Sequence, residues 1–135
     1  MNIKNILVCL ETRNPVEPIS QFTVKLAQTY DARLFALTII KQPSPDIKTR
    51  TDERAWKRLY EIEEDAFEAG IKISLLLEEI DELNRTAITD KIISIIKHFS
   101  IGMLVVSGNA KINIKDLISG LTIPVIVFPP EMREA

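Results

Sequence analysis

One cysteine and one histidine among 135 residues remove much chemistry at the outset. A lone cysteine cannot build an internal disulfide framework. A lone histidine has no second imidazole with which to complete a metal or catalytic pair, and no nucleophile with a positioned base stands elsewhere in the chain. On these grounds the sequence predicts a non-enzyme with no metal centre. No apolar run approaches the roughly 18 residues of a membrane span, so no membrane association is expected. Positive charge is not in surplus either: 17 Lys and Arg stand against 19 Asp and Glu, for a net charge of −2. Non-specific nucleic-acid binding needs the opposite balance, which demotes nucleic acid as a partner. Met1 to Asn5 leads into the first apolar segment without a secretory hydrophobic stretch, which makes the cytoplasm the expected compartment. Internal repeats, low-complexity tracts and linkers are missing too.

What is present suits one globular unit. The chain is 46% hydrophobic and 27% charged, and a domain of this size buries about two thirds of its unfolded surface without metal or disulfide staples. Residues 1–135 are therefore expected to form a single domain. Lys4 to Leu10 is an almost continuous apolar run, as in a strand covered on both faces, and it ends at the polar, proline-containing break Glu11-Thr12-Arg13-Asn14-Pro15. Pro18 suits a first helical turn. Ile19, Phe22, Leu26 and Tyr30 then recur at helical spacing and predict a helix over Glu17–Tyr30. Arg33 to Ile40 is the second strand.

Lys41 to Arg50, with Pro43 and Pro45, reads as the one long connection, a loop or a lid. From about Thr51 a charged helix directs Ala55, Trp56, Leu59, Ile62, Ala66 and Phe67 to one side and stops at Gly70, the residue best suited to a left-handed helix ending. Ile71 to Leu77 is the third strand. Glu78, Glu79, Asp81 and Glu82 form an acidic connection without calcium-loop spacing, followed by a helix over Thr86–Phe99 with Ile88, Ile92, Ile95, Ile96 and Phe99 inward. Met103 to Val106, a short helix marked by Ile114, Leu117, Ile118 and Leu121, and Pro124 to Phe128 complete the chain. Strands alternating with helices predict a parallel sheet covered on both faces, a doubly wound α/β/α sandwich. In such sheets ligands gather beyond the carboxyl ends of strands where the strand order reverses.

The strand ends therefore carry the candidate site. Glu11 and Thr12 follow the first strand, Ile40 ends the second, and Ser107-Gly108-Asn109 follows the fourth, with Lys111 near by. A carboxylate here can accept from ribose hydroxyls or an amino group, and a small turn opening onto a helix favours an anion. The same residues also make an ordinary turn and a solvated loop. Cys9, within the first strand, reads as a small core hydrophobe, and His98, at the end of the third helix, as a helix-end charge. Trp56 and Tyr60, four apart on one helix, read as packing or as part of a partner surface.

The stretch Asn5-Ile6-Leu7-Val8-Cys9-Leu10-Glu11, the charged second helix after its proline-bearing loop, and Met103-Leu104-Val105-Val106-Ser107-Gly108 with Ile123-Pro124-Val125-Ile126-Val127-Phe128 resemble the universal stress protein family. The resemblance covers essentially the whole chain. It implies the adenine nucleotide alpha hydrolase-like architecture, strand order 3-2-1-4-5, a role in stress response, and a homodimer through strand five (Val125, Ile126, Val127, Phe128). An apolar edge strand is otherwise an aggregation hazard, which pairing removes.

ATP-binding members of that family carry an aspartate after strand one and a G-x-x-G loop after strand four. Here Glu11 occupies the aspartate position. Gly108 matches the first glycine, but Lys111 stands where the second belongs, and most of the phosphate loop is missing. Gly120 reads as a helix terminator rather than as part of such a loop. A triphosphate is held by backbone amides at close approach, which side chains on the loop obstruct. The expectation is a stress-response module with unidentified protein partners and no tight ATP binding. The alternative is an ATP or AMP sensor with ligand between strands one and four and the 41–50 loop closing over it. A phosphorelay receiver, which shares the strand–helix alternation, is excluded by the missing acidic pair after strand one, by Glu78 in place of a phospho-accepting aspartate, and by the lack of a lysine ending strand five.

Overall fold

In a computed structural model, residues 2–11, 17–41, 48–107 and 114–128 are described. The elements alternate as β1 (Asn5–Cys9), α1 (Glu17–Tyr30), β2 (Arg33–Lys41), α2 (Lys48–Glu68), β3 (Ile73–Ile80), α3 (Arg85–His98), β4 (Met103–Ser107), α4 (Ile114–Gly120) and β5 (Val125–Phe128). All strands pair in parallel, in the order β3-β2-β1-β4-β5. The architecture and strand order implied by the sequence are both present.

Two apolar layers lie against the sheet. Residues alternating along the strands, among them Ile6, Val8, Leu34, Ala36 and Val105, meet Ile19 and Val24 of α1 and Leu59, Ile62 and Ala66 of α2. The opposite set, Leu7, Cys9, Phe35, Leu37, Leu104 and Val106, meets Ile88, Ile92, Ile95 and Ile96 of α3 and Leu117 of α4. Central β1 is buried on both faces, which is why its sequence is a continuous apolar run rather than an alternating one.

Several local expectations are corrected. α1 does not bury a stripe of Ile19, Phe22, Leu26 and Tyr30; it buries Ile19, Ser20, Thr23, Val24 and Ala27, while Phe22 and Tyr30 are exposed. Small residues let α1 sit close to α2, and their hydroxyls are satisfied: Ser20 Oγ donates to Asp65 Oδ2 at 2.6 Å and Thr23 Oγ1 to the Ile19 carbonyl at 2.6 Å. Phe22 instead lies beside Phe128, with ring centroids 5.4 Å apart. Phe67 is not in the core of α2 but points outward, and Ile118 of α4 is likewise exposed. β3 runs on through Glu78 and Glu79 to Ile80, so half of the acidic connection belongs to a strand. α2 starts at Lys48, three residues earlier than expected, and the 42–47 segment lies outside the described residues. Gly120 does end α4, yet what its missing side chain permits is contact, since a Cβ there would stand 3.4 Å from Ile93 Cδ1 of α3.

Candidate functional site

The strand order reverses at β1, whose neighbours are β2 on one side and β4 on the other. α1 and α2 pack on one face and α3 and α4 on the other, so the carboxyl ends of β1 and β4 lie at the reversal point, the place where ligands gather in sheets of this kind. Glu11 lies at that end, half-buried, two residues past the last residue of β1. It is held there because pairing continues past the strand proper: the Leu10 amide donates to the Leu37 carbonyl at 2.8 Å. Ser107 is the last residue of β4, half-buried and in register with Phe128 of β5. Ile40 is buried near the end of β2, in register with Glu79 of β3.

The topology therefore brings Glu11 and Ser107 to the ends of adjacent strands, with Ile40 on the next strand over. These residues offer a carboxylate acceptor, a hydroxyl that both donates and accepts, and an apolar wall, a set suited to the sugar and base of a nucleoside. Thr12, Gly108, Asn109 and Lys111 lie outside the described residues.

α4 has seven residues and carries Asp116 in its first turn. A carboxylate there complements the positive end of the helix dipole. Among the described residues no group of three His, Cys, Asp or Glu is placed to hold a metal ion, and no helix is long and apolar enough to cross a membrane. Cys9 is buried in the α3-side core, and burial pushes its thiol up to about 12. It is a packing residue without thiolate chemistry at neutral pH. His98 closes α3, its ring edge-on to Phe99 at 4.7 Å between centroids.

One surface feature is not legible from periodicity. Trp56 and Tyr60 stack on α2 at 5.7 Å between centroids, and Tyr60 is exposed together with Phe67. Helical spacing assigns Phe67 to the interior because it neighbours Ala66, and only the packing of α2 against the sheet separates the two.

No family model matches this chain, and no curated protein matches it. Solved structures do. A protein from the universal stress protein family of Burkholderia pseudomallei is 16% identical and superposes with a TM-score of 0.75 over 94% of this chain and 96% of that one. The universal stress protein of Archaeoglobus fulgidus in complex with dAMP is 13% identical, with a TM-score of 0.68 over 97% and 100% of the two chains. A universal stress protein family protein of Arabidopsis thaliana with AMP bound is 14% identical, with a TM-score of 0.67 over 95% and 92%. The resemblance read from the sequence is thus borne out as a shared fold spanning nearly the whole chain.

Proposed function

We propose that the chain is a universal stress-type module of the cytoplasm that works as a homodimer through protein contacts, has no catalytic activity, and keeps only a reduced nucleotide pocket. One observation carries this reading: the strand order brings Glu11 and Ser107 to the carboxyl ends of adjacent β1 and β4, and the described part of the helix beyond β4 has Asp116 in its first turn. The loop leading to it carries Lys111 in place of the second glycine of the family's G-x-x-G pattern. Such a rim can accept from a ribose, and a side chain where the family pattern has glycine obstructs the close approach of backbone amides that grips a triphosphate.

Calorimetry with ATP, ADP and AMP in the presence of magnesium tests the proposal. The expected outcome is no binding heat for ATP up to about 1 mM, a concentration at which even a weak site responds. Saturable ATP binding that disappears in Glu11→Ala would overturn it.

A second reading has its own support. Structural neighbours were solved with dAMP and with AMP, and a monophosphate needs fewer backbone donors than a triphosphate. Under this reading the β1–β4 site is an adenine mononucleotide sensor. AMP would then raise the melting temperature, because it binds only the folded state, and Glu11→Ala would abolish that shift.

A further inference from the structure

The two most exposed aromatic side chains among the described residues, Phe67 at 83% and Tyr60 at 56% relative exposure, lie on one helix. At about 100° per residue, Trp56, Tyr60 and Phe67 fall within an arc of about 40° on α2, and Asp65 falls about 160° from its centre. Asp65 accepts from Ser20 and so marks the flank that faces α1. The aromatic flank is therefore the opposite one, above the outer margin of the sheet, where β3 is the edge strand.

β3 is itself unusual for an edge. It is eight residues long, pairs only with β2 among the described strands, and keeps Ile73, Leu75, Leu76 and Leu77 half-buried. Ile73, Leu75 and Leu77 belong to the core layer that α2 covers, so the strand edge and the aromatic flank adjoin. A long, apolar edge is a template for another strand unless something blocks it.

Charge around this margin has an acidic surplus: Glu53, Glu63, Glu64 and Glu68 of α2 and Glu79, Asp81 and Glu82 at the end of β3 are exposed, against exposed Lys57, Lys72 and Arg85 and the exposed Arg33 and Lys41 of neighbouring β2. A second copy of the chain would bring acid against acid, and a nucleic acid would be repelled. A basic polypeptide is attracted, and its lysine or arginine heads can also sit over aromatic faces.

We propose that the β3 edge and the Tyr60–Phe67 flank of α2 receive an extended, lysine- or arginine-rich segment of another protein. The segment adds as a strand beside β3 and lays basic side chains across the two rings. Main-chain hydrogen bonds provide the affinity of such strand addition, and the flanking side chains provide its selectivity.

Blocked peptides alternating lysine and valine, alternating glutamate and valine, and a lysine–valine peptide with N-methylated amides are suitable probes, titrated into the 15N-labelled full chain. The expected result is saturable binding of the lysine–valine peptide, with shifts concentrated in the Ile73–Ile80 amides and an affinity that falls with added salt. N-methylation should abolish binding. Tyr60→Ala with Phe67→Ala should weaken it about tenfold, as loss of two cation–π contacts implies. Both side chains are exposed, so the variant should fold, and Phe67→Ser alone provides a second test. Absence of shifts in β3, equal binding of the glutamate peptide, or β3 amides that respond to protein concentration without peptide would each overturn the proposal, the last by identifying a second copy as the occupant.

Discussion

Cys9 is a residue whose surroundings its sequence neighbours foretell. Its place in an apolar run marks it as core, and it is buried among Leu7, Leu37 and the α3 isoleucines. Burial raises its thiol from 9.0 to about 12 because the thiolate would lose its hydration. Between those two values the unfolded chain releases the Cys9 proton and the native protein keeps it, so unfolding is favoured as pH rises. Stability attributable to the neutral thiol is complete below pH 9 and declines above it. The wild type should therefore lose stability more steeply than Cys9→Ala between pH 9 and 11, by up to about 1.4 kcal/mol per pH unit, in urea melts at matched pH. Parallel pH dependences would show that Cys9 does not titrate differently on folding. Ser20 and Thr23 mark the limit of residue-level reading. They count as polar in any apolar stripe, and only the presence of Asp65 and the Ile19 carbonyl makes their burial affordable.

At the scale of elements, helix ends explain which boundaries were legible. Three helices close in the same way, with a left-handed residue followed by a 6→1 backbone bond: Ala32 to the Ala27 carbonyl after α1, Ile71 to Ala66 after α2 and Ile101 to Ile96 after α3. The left-handed residues are Asp31 (φ 52°), Gly70 (φ 73°) and Ser100 (φ 54°). Glycine announces this ending in sequence, whereas aspartate and serine do not. The start of α3 lies one residue earlier than periodicity suggests, because Asn84 is its cap, its side chain accepting from the Ala87 amide at 2.8 Å. The shared geometry predicts opposite effects at two exposed turns. Gly70→Ala has open space for its Cβ and should cost about 1 kcal/mol through backbone strain alone. Ser100→Gly should relieve strain of the same kind and stabilise by up to about 1 kcal/mol, less the extra freedom gained by the unfolded chain. Urea denaturation distinguishes the two signs, and a destabilised Ser100→Gly would mean that the serine side chain contributes more than its conformation costs.

At the scale of the molecule, alternating apolar segments gave a parallel sheet covered on both faces, because parallel connections leave few topologies open, while the strand order came from the family resemblance alone. The site was only half legible. Topology places Glu11, Ile40 and Ser107 at neighbouring strand ends, but whether a crevice grips a ligand depends on loop backbone, which periodicity does not constrain. The edges pose a similar problem, since a strand's sequence shows its apolarity and not its neighbour. β5 is a four-residue edge with Val127 exposed, backed by Phe22 beside Phe128. Pairing of two β5 strands about a two-fold axis would extend the sheet across both copies and leave β3 at each outer margin. That arrangement makes the two edges separable by experiment. Val127→Arg places charge at the proposed two-fold without entering the core, so it should convert a dimer to a monomer in sedimentation equilibrium while leaving the circular dichroism spectrum and the lysine–valine peptide titration unchanged. A wild type that sediments as a monomer across micromolar concentrations would remove the β5 dimer and leave that edge to be protected by shortness alone.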